Sequence, residues 1–77
     1  MPMTAAEIER TIRESLPDAQ VRIEDLAGDG DHYRAHIVSE QFRGKSRLQQ
    51  HQLVYRALGD RMGGELHALA LSTSTPQ

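Results

Sequence analysis

The sequence predicts a small single domain of the α/β (α+β) class, in which two amphipathic helices pack on a three-stranded sheet. Two segments repeat apolar residues at helical spacing, and others alternate apolar and polar residues as half-buried strands do. Clusters of turn-forming residues separate these segments. The predicted order is α-β-β-α-(α)-β, with the bracketed helix a single short turn, and one domain is expected over residues 1–77.

The first helix is predicted over residues 5–15. Thr4 and Glu7 have the spacing of a capping box, in which each residue bonds to the backbone of the other. Apolar residues follow at intervals of four, and Pro17 ends the pattern. The apolar positions, which should face the core, are Ile8, Ile12 and Leu16.

A β-hairpin is predicted next. Residues 20–26 alternate as a half-buried strand around Val21 and Ile23, and residues 27–31 are rich in glycine and aspartate. A second strand, up to about residue 38, places Tyr33, Ala35 and Ile37 on one face. Because a short turn connects the two strands, they are expected to pair with each other.

The second helix is predicted over residues 47–58, with Ser46 as its N-cap and Gly59 near its end. A short helical turn around Arg61 and Met62, and a final strand over about residues 65–72, are expected to follow. Residues 72–77 are predicted to form a frayed tail. The apolar stripe of the second helix is imperfect and consists of Leu48, Val54, Tyr55, Leu58 and Met62.

Composition excludes several kinds of chemistry. The chain has no cysteine, so it offers no disulfide, no thiolate nucleophile and no cysteine ligand for zinc or iron. It contains neither a membrane-spanning apolar stretch nor a signal-peptide pattern, so a cytoplasmic protein that avoids membranes is expected. No nucleophile elbow, metalloprotease motif or carboxylate cluster is present, which argues against an enzyme.

Charge is unevenly distributed along the chain. Residues 1–31 hold eight acids against three arginines, whereas residues 43–62 hold five bases against one acid. A basic patch on an acidic molecule suits an acidic partner or a phosphate backbone. The candidates for partner or nucleic-acid docking lie at and after the start of the second helix, and they are Arg43, Lys45, Arg47, Gln50 and Arg56.

Three motifs resemble ligand-binding sites but lack a feature that each such site requires. Gly44-Lys45-Ser46 resembles the end of a phosphate-binding loop, but Ser39 stands where the first glycine of that motif is required. His32 and His36 would be about 13 Å apart on a strand, too far to share one metal ion. The glycine and aspartate run at 28–31 lacks the ligand spacing of a calcium loop.

His67 is the histidine with the most unusual setting, because its neighbours in the predicted last strand are apolar. Taken alone, this setting favours a structural histidine over a metal ligand. His51 lies among glutamines in the second helix, where an exposed or packing role is the simpler interpretation.

An ordered set of motifs nevertheless resembles the BolA family. The set covers nearly the whole chain and consists of Gly28-Asp29-Gly30-x-His32-Tyr33, Val38-Ser39-x-x-Phe42-x-Gly44-Lys45-Ser46, His51-Gln52-x-Val54-Tyr55-x-Ala57-Leu58 and Leu66-His67-Ala68-Leu69. The resemblance implies a fold like the class II KH domain. It also implies partnership with a monothiol glutaredoxin, with which such proteins share a [2Fe-2S] cluster in cluster trafficking or in iron and redox sensing.

In such complexes the glutaredoxin and glutathione are thought to provide sulfur ligands, and the BolA partner provides the histidine of its last-strand motif. The resemblance therefore implies His67 as a cluster ligand, with His32 as the best candidate for a second one, and no cluster held by the isolated chain. An imidazole ligand raises the potential of such a cluster and makes binding sensitive to pH.

Two alternatives remain open at this point. The family is also linked to transcription and the stress response, so DNA binding through the basic residues is the second hypothesis, although a Gly-x-x-Gly clamp is absent and aromatics are few. The third is an adaptor that binds a glutaredoxin without supplying a ligand, or that forms a homodimer.

Overall fold

The computed structural model describes residues 4–26, 32–59 and 69–77. Within these ranges the α-β-β-α-β order is confirmed, with a 3₁₀ turn added before the second helix. The predicted short helical turn at Arg61 and Met62 lies outside the described residues. The elements are α1 Ala5–Ser15, β1 Gln20–Asp25, β2 Tyr33–Val38, the 3₁₀ turn Glu40–Phe42, α2 Arg47–Leu58 and β3 Leu69–Ser74.

Both helices begin at the predicted N-caps, and a capping box is present at each. The Thr4 hydroxyl accepts from the Glu7 N–H at 3.2 Å, and the Thr4 N–H donates to the Glu7 carboxylate at 3.1 Å. Ser46 and Gln49 repeat this arrangement at the start of α2. These reciprocal bonds satisfy N–H groups that a helix start leaves without partners, so the first residues of both helices follow from local sequence.

The three strands form one sheet in the order β1-β2-β3. The predicted hairpin is confirmed, because β1 pairs antiparallel with β2, from Gln20 opposite Val38 to Asp25 opposite Tyr33. β3 pairs parallel with β2 on its other side, beginning with Leu69 beside Tyr33. The chain between β2 and β3 carries α2, as a parallel crossover requires.

The core lies between the sheet and the two helices. α1 and its C-cap residue Leu16 supply three of its buried side chains, and β2 supplies the face predicted from its alternation. The opposite face of β2 carries Arg34, His36 and Val38, which are exposed or half-buried. The core residues are Ile8, Ile12, Leu16, Ala19, Tyr33, Ala35, Ile37, Phe42, Val54, Leu58 and Leu69.

One member of the predicted α2 stripe is wrong. Val54 and Leu58 are buried, but Leu48 is 67% exposed. The position one turn before Val54 on the inward face is Gln50, which is half-buried and bonds to backbone carbonyls. Leu48 is about 120° around the helix axis from Val54 and about 160° from Gln50, so the start of α2 packs on the protein through a polar side chain.

The predicted frayed tail is also wrong for residues 72–74. β3 continues to Ser74, its last three residues pair with His36, Ile37 and Val38, and the Ser39 N–H donates to the Ser74 carbonyl at 3.0 Å. Strand pairing uses backbone groups that every residue but proline provides, so polar side chains did not prevent it. The predicted strand start, residues 65–68, lies outside the described residues.

Candidate functional site

His32 lies at the entrance to the central strand. It directly precedes β2, and its carbonyl accepts a 2.8 Å hydrogen bond from the Leu26 N–H, which extends the hairpin beyond the last residue of β1. The residue is exposed. Its backbone is thus held by the hairpin while its side chain can be approached from outside.

His67, the other ligand implied by the family resemblance, lies outside the described residues. It stands two residues before Leu69, the first residue of β3. Leu69 is paired with Tyr33, which immediately follows His32. The two strands that follow these histidines, β2 and β3, therefore begin side by side at one end of the sheet.

The other two histidines lie elsewhere. His36 Nε2 is 3.1 Å from Glu24 Oε1 on the sheet face away from the helices, and this hydrogen bond is the main cause that lowers the pKa of the Glu24 carboxyl. His51 is half-buried in the first half of α2. Among the described residues, no three histidine, aspartate or glutamate side chains are grouped as a metal site would require.

The predicted docking residues differ in the contacts that they make within the fold. Arg43 makes a two-pronged ion pair with Glu40, with Nη2 at 3.0 Å from Oε2, and it also donates to the Pro76 carbonyl. The pair raises the pKa of Arg43 and lowers that of Glu40. Arg43 therefore links the 3₁₀ turn to the C-terminal residues, while its side chain stays 58% exposed.

Lys45 and Arg56 are brought together. With Gln49, Gln52 and Leu53 they line a shallow hollow of about 240 Å³ along α2. Arg47 is exposed in the first turn of the same helix. No described carboxylate lies within ion-pair distance of these three cations. Lys45 and Arg56 therefore form a basic surface that is available to a partner, whereas Arg47 lies about half a turn of α2 away from Arg56.

Gln50 is used by the fold. Its amide nitrogen donates to the carbonyls of Phe42 and Lys45 at 3.2 and 3.0 Å, and its oxygen accepts from the Thr73 hydroxyl at 2.7 Å. The side chain thus joins the 3₁₀ turn, the start of α2 and the end of β3. Its docking role stays a prediction, but both amide protons already have partners.

Asp18 was missed by the sequence reasoning. Its carboxylate accepts from the buried Ser39 hydroxyl at 2.9 Å and from the Glu40 N–H at 2.8 Å, and these bonds lower its pKa. Asp18 thereby fixes the loop that carries Arg43 and leads to α2. Its only sequence signal is a place after Pro17, which indicates a turn and not its distant partner.

Known proteins resemble this chain in sequence and in fold. The BolA-like protein family model matches residues 5–77. Protein RP812 of Rickettsia prowazekii is 38% identical over 73 residues, which are 95% of each chain. Its solved structure, a BolA-like hypothetical protein, has a TM-score of 0.79 with full coverage of both chains.

Two further matches show the family in longer proteins. The solved BolA domain of SufE1 from Arabidopsis thaliana has a TM-score of 0.77 and 35% identity, covering 92% of this chain and 90% of that one. BolA-like protein 1 of Mus musculus is 46% identical over 50 residues, but the match spans 65% of this chain and only 36% of that protein.

The fold and these matches define a small α+β domain of the BolA type. The chain belongs to the BolA family. The fold class predicted from the sequence is confirmed, while its likeness to class II KH domains stays a prediction. None of the helices in the described ranges is long and apolar enough to cross a membrane.

Proposed function

We propose that this protein is the partner of a monothiol glutaredoxin and shares a [2Fe-2S] cluster with it, in cluster trafficking or in iron and redox sensing. Membership of the BolA family, and the likeness to the BolA domain of SufE1, are consistent with a role in iron-sulfur pathways. The proposal extends that role to a defined partner and to two ligands, His67 and His32.

The pairing of Leu69 with Tyr33 carries the proposal. Neighbouring strands lie about 4.8 Å apart, and two residues of chain span at most about 7 Å. His32 and His67 stand one and two residues before this pair. The strands that follow the two histidines therefore begin at the same end of the sheet, which supports a shared ligand site.

The donor set fits a cluster that is shared. A [2Fe-2S] cluster takes four protein or thiol ligands, commonly cysteines, and histidine can replace two of them. This chain has no cysteine, so two histidines would leave two positions to a partner's sulfur atoms. His32 is exposed, as a ligand that reaches toward another molecule must be. When bound, the cluster supplies a redox-active centre with visible absorption.

A spectral titration tests the proposal. Adding this protein to a cluster-loaded monothiol glutaredoxin is expected to change the visible absorption and circular dichroism of the cluster. His67→Ala should abolish the change and His32→Ala should reduce it. His51→Ala is the matched control and should behave as wild type, because His51 lies in the first half of α2, next to Gln50, which bonds to Thr73 near the end of β3 and not at its start.

Two outcomes separate the alternatives. An unchanged spectrum with the wild-type protein would overturn cluster sharing. If size-exclusion chromatography still shows a complex with the glutaredoxin, the adaptor hypothesis is supported, whereas the absence of any complex would exclude both cluster sharing and the adaptor role.

We also propose that the chain is not an enzyme, in keeping with a family of regulators and adaptors.

Nucleic-acid binding is the second candidate function, favoured by Lys45, Arg47 and Arg56, which are exposed and pair with no described carboxylate. Binding to duplex DNA should weaken with salt, and each cation that contacts a phosphate should contribute about 0.9 to the logarithmic slope. The triple replacement of these cations by alanine should therefore flatten the slope. Arg43→Ala is the control, because Arg43 is already paired with Glu40.

A further inference from the structure

The outer edge of β1 is open among the described residues. β2 occupies the middle of the sheet, so β1 and β3 are its two edges. The β3 edge is partly covered, because the Tyr55 hydroxyl of α2 donates to the Leu69 carbonyl at 3.5 Å. β1 has no proline, and no residue in the described ranges hydrogen-bonds to the outward backbone groups of Val21 and Ile23. Such an edge is a template for another strand.

The hairpin bonds show which backbone groups face outward. Leu26 donates to His32, so these two residues form a hydrogen-bonded pair of the antiparallel ladder. Such pairs occur at every second position, which directs the backbone of Arg22 and Glu24 toward β2. The N–H and C=O groups of Val21 and Ile23 therefore point away from the sheet.

β1 is complementary to a second copy of itself in one register. When two β1 strands pair antiparallel with Ile23 opposite Ile23, their outward backbone groups meet and exchange hydrogen bonds. The same register places Arg22 of each copy opposite Glu24 of the other. If the two-fold axis that relates the strands lay one residue away from Ile23, Arg22 would face Arg22 or Glu24 would face Glu24, and like-charge repulsion disfavours both arrangements.

We propose that this protein self-associates through β1 in the register centred on Ile23, which joins two three-stranded sheets into one of six strands. The two Arg22–Glu24 pairs select the register, and the half-buried Ile23 side chains meet on the helix-covered face. The contact involves one six-residue strand from each copy, less than a stable dimer needs, so association should depend on protein concentration.

This association is independent of the proposed function. It uses the edge of the sheet farthest from β3, so it leaves the β3 side of the sheet accessible. Analytical ultracentrifugation of the purified chain, from micromolar to millimolar concentration, should show a reversible monomer–dimer equilibrium. A purely monomeric protein over this range would overturn the proposal.

Charge reversal tests the register. Arg22→Glu and Glu24→Arg should each raise the dimer dissociation constant by about tenfold or more, because each turns two attractive cross-strand pairs into repulsive ones. Mixing the two variants should restore association as a heterodimer, since every pair is then opposite in charge. Arg22→Glu leaves the bond between Glu24 and His36 in place, so it remains informative if Glu24→Arg does not fold.

A mixture of isotope-labelled and unlabelled wild-type protein identifies the contact directly. Because the Arg22 and Glu24 pair has no backbone hydrogen bond of its own, their Cα hydrogens should be close enough for an intermolecular NOE. Intermolecular NOEs at another surface, or a mixture of reversed variants that associates no better than either alone, would refute the β1 register.

Discussion

Replacing Thr73 by valine should destabilise the fold by about 1 kcal/mol. Thr73 donates to Gln50 at 2.7 Å in a partly buried contact, and valine keeps the shape and the β-branched backbone preference while removing the hydroxyl. The Gln50 oxygen then loses its partner, and water can replace it only in part. For a domain of this size, such a loss should lower Tm by about 4–8 °C.

Thr75→Val is the matched control, because Thr75 follows β3 and its side chain makes no hydrogen bond within the described residues. Urea unfolding followed by far-UV circular dichroism measures both variants, and the slope m should stay constant. A double-mutant cycle with Gln50→Ala should show a coupling energy between positions 50 and 73. Equal stability losses for Thr73→Val and Thr75→Val would refute the proposed contact.

Three further perturbations test the fold. Ile12→Ala should cost about 2–5 kcal/mol, because Ile12 is fully buried in α1; a loss no greater than that of Ile12→Val in urea unfolding would contradict this. Thr4→Ala should cost about 1 kcal/mol through loss of the capping box, and an unchanged urea midpoint would argue against the cap. Asp18→Asn should be less stable than wild type at pH 7, and the difference should shrink as pH falls below the ordinary carboxyl value of 3.8. The pKa of Asp18 is lowered in the folded protein, so its ionised carboxylate stabilises the fold above the ordinary value, and this stabilisation is lost when the carboxylate is protonated. A stability difference between the two proteins that did not change with pH would contradict this prediction.

The elements whose bounds were predicted correctly depend on neighbours in sequence. α1 and α2 begin where a hydroxyl residue and a Glu or Gln three positions later complete a capping box. α2 ends at Gly59, whose φ of +57° is a conformation that glycine adopts without strain. The hairpin likewise forms between strands that are close together in the chain, so local pattern was sufficient.

The sequence was a poor guide where a residue's contacts are made with residues far away in the chain. Ser72 to Ser74 were predicted to fray because their side chains are polar, yet β2 offers them backbone hydrogen bonds. Contacts that local sequence did not predict have the same origin: Gln50 bonds to Thr73 across 23 positions, while its docking role stays a prediction. Arg43 donates to Glu40 nearby and to the Pro76 carbonyl 33 positions away, and its docking role also stays a prediction.

The sequence by itself determined the class of fold, the start of both helices, the inward face of β2 and the absence of thiol ligands, because each depends on periodicity, nearby side chains or composition. Only the tertiary structure decided that β3 runs parallel to β2 through Ser74, that Asp18 binds the Ser39 loop and that Lys45 and Arg56 share one surface. These features depend on contacts between residues far apart in the chain, which packing creates and local sequence does not encode.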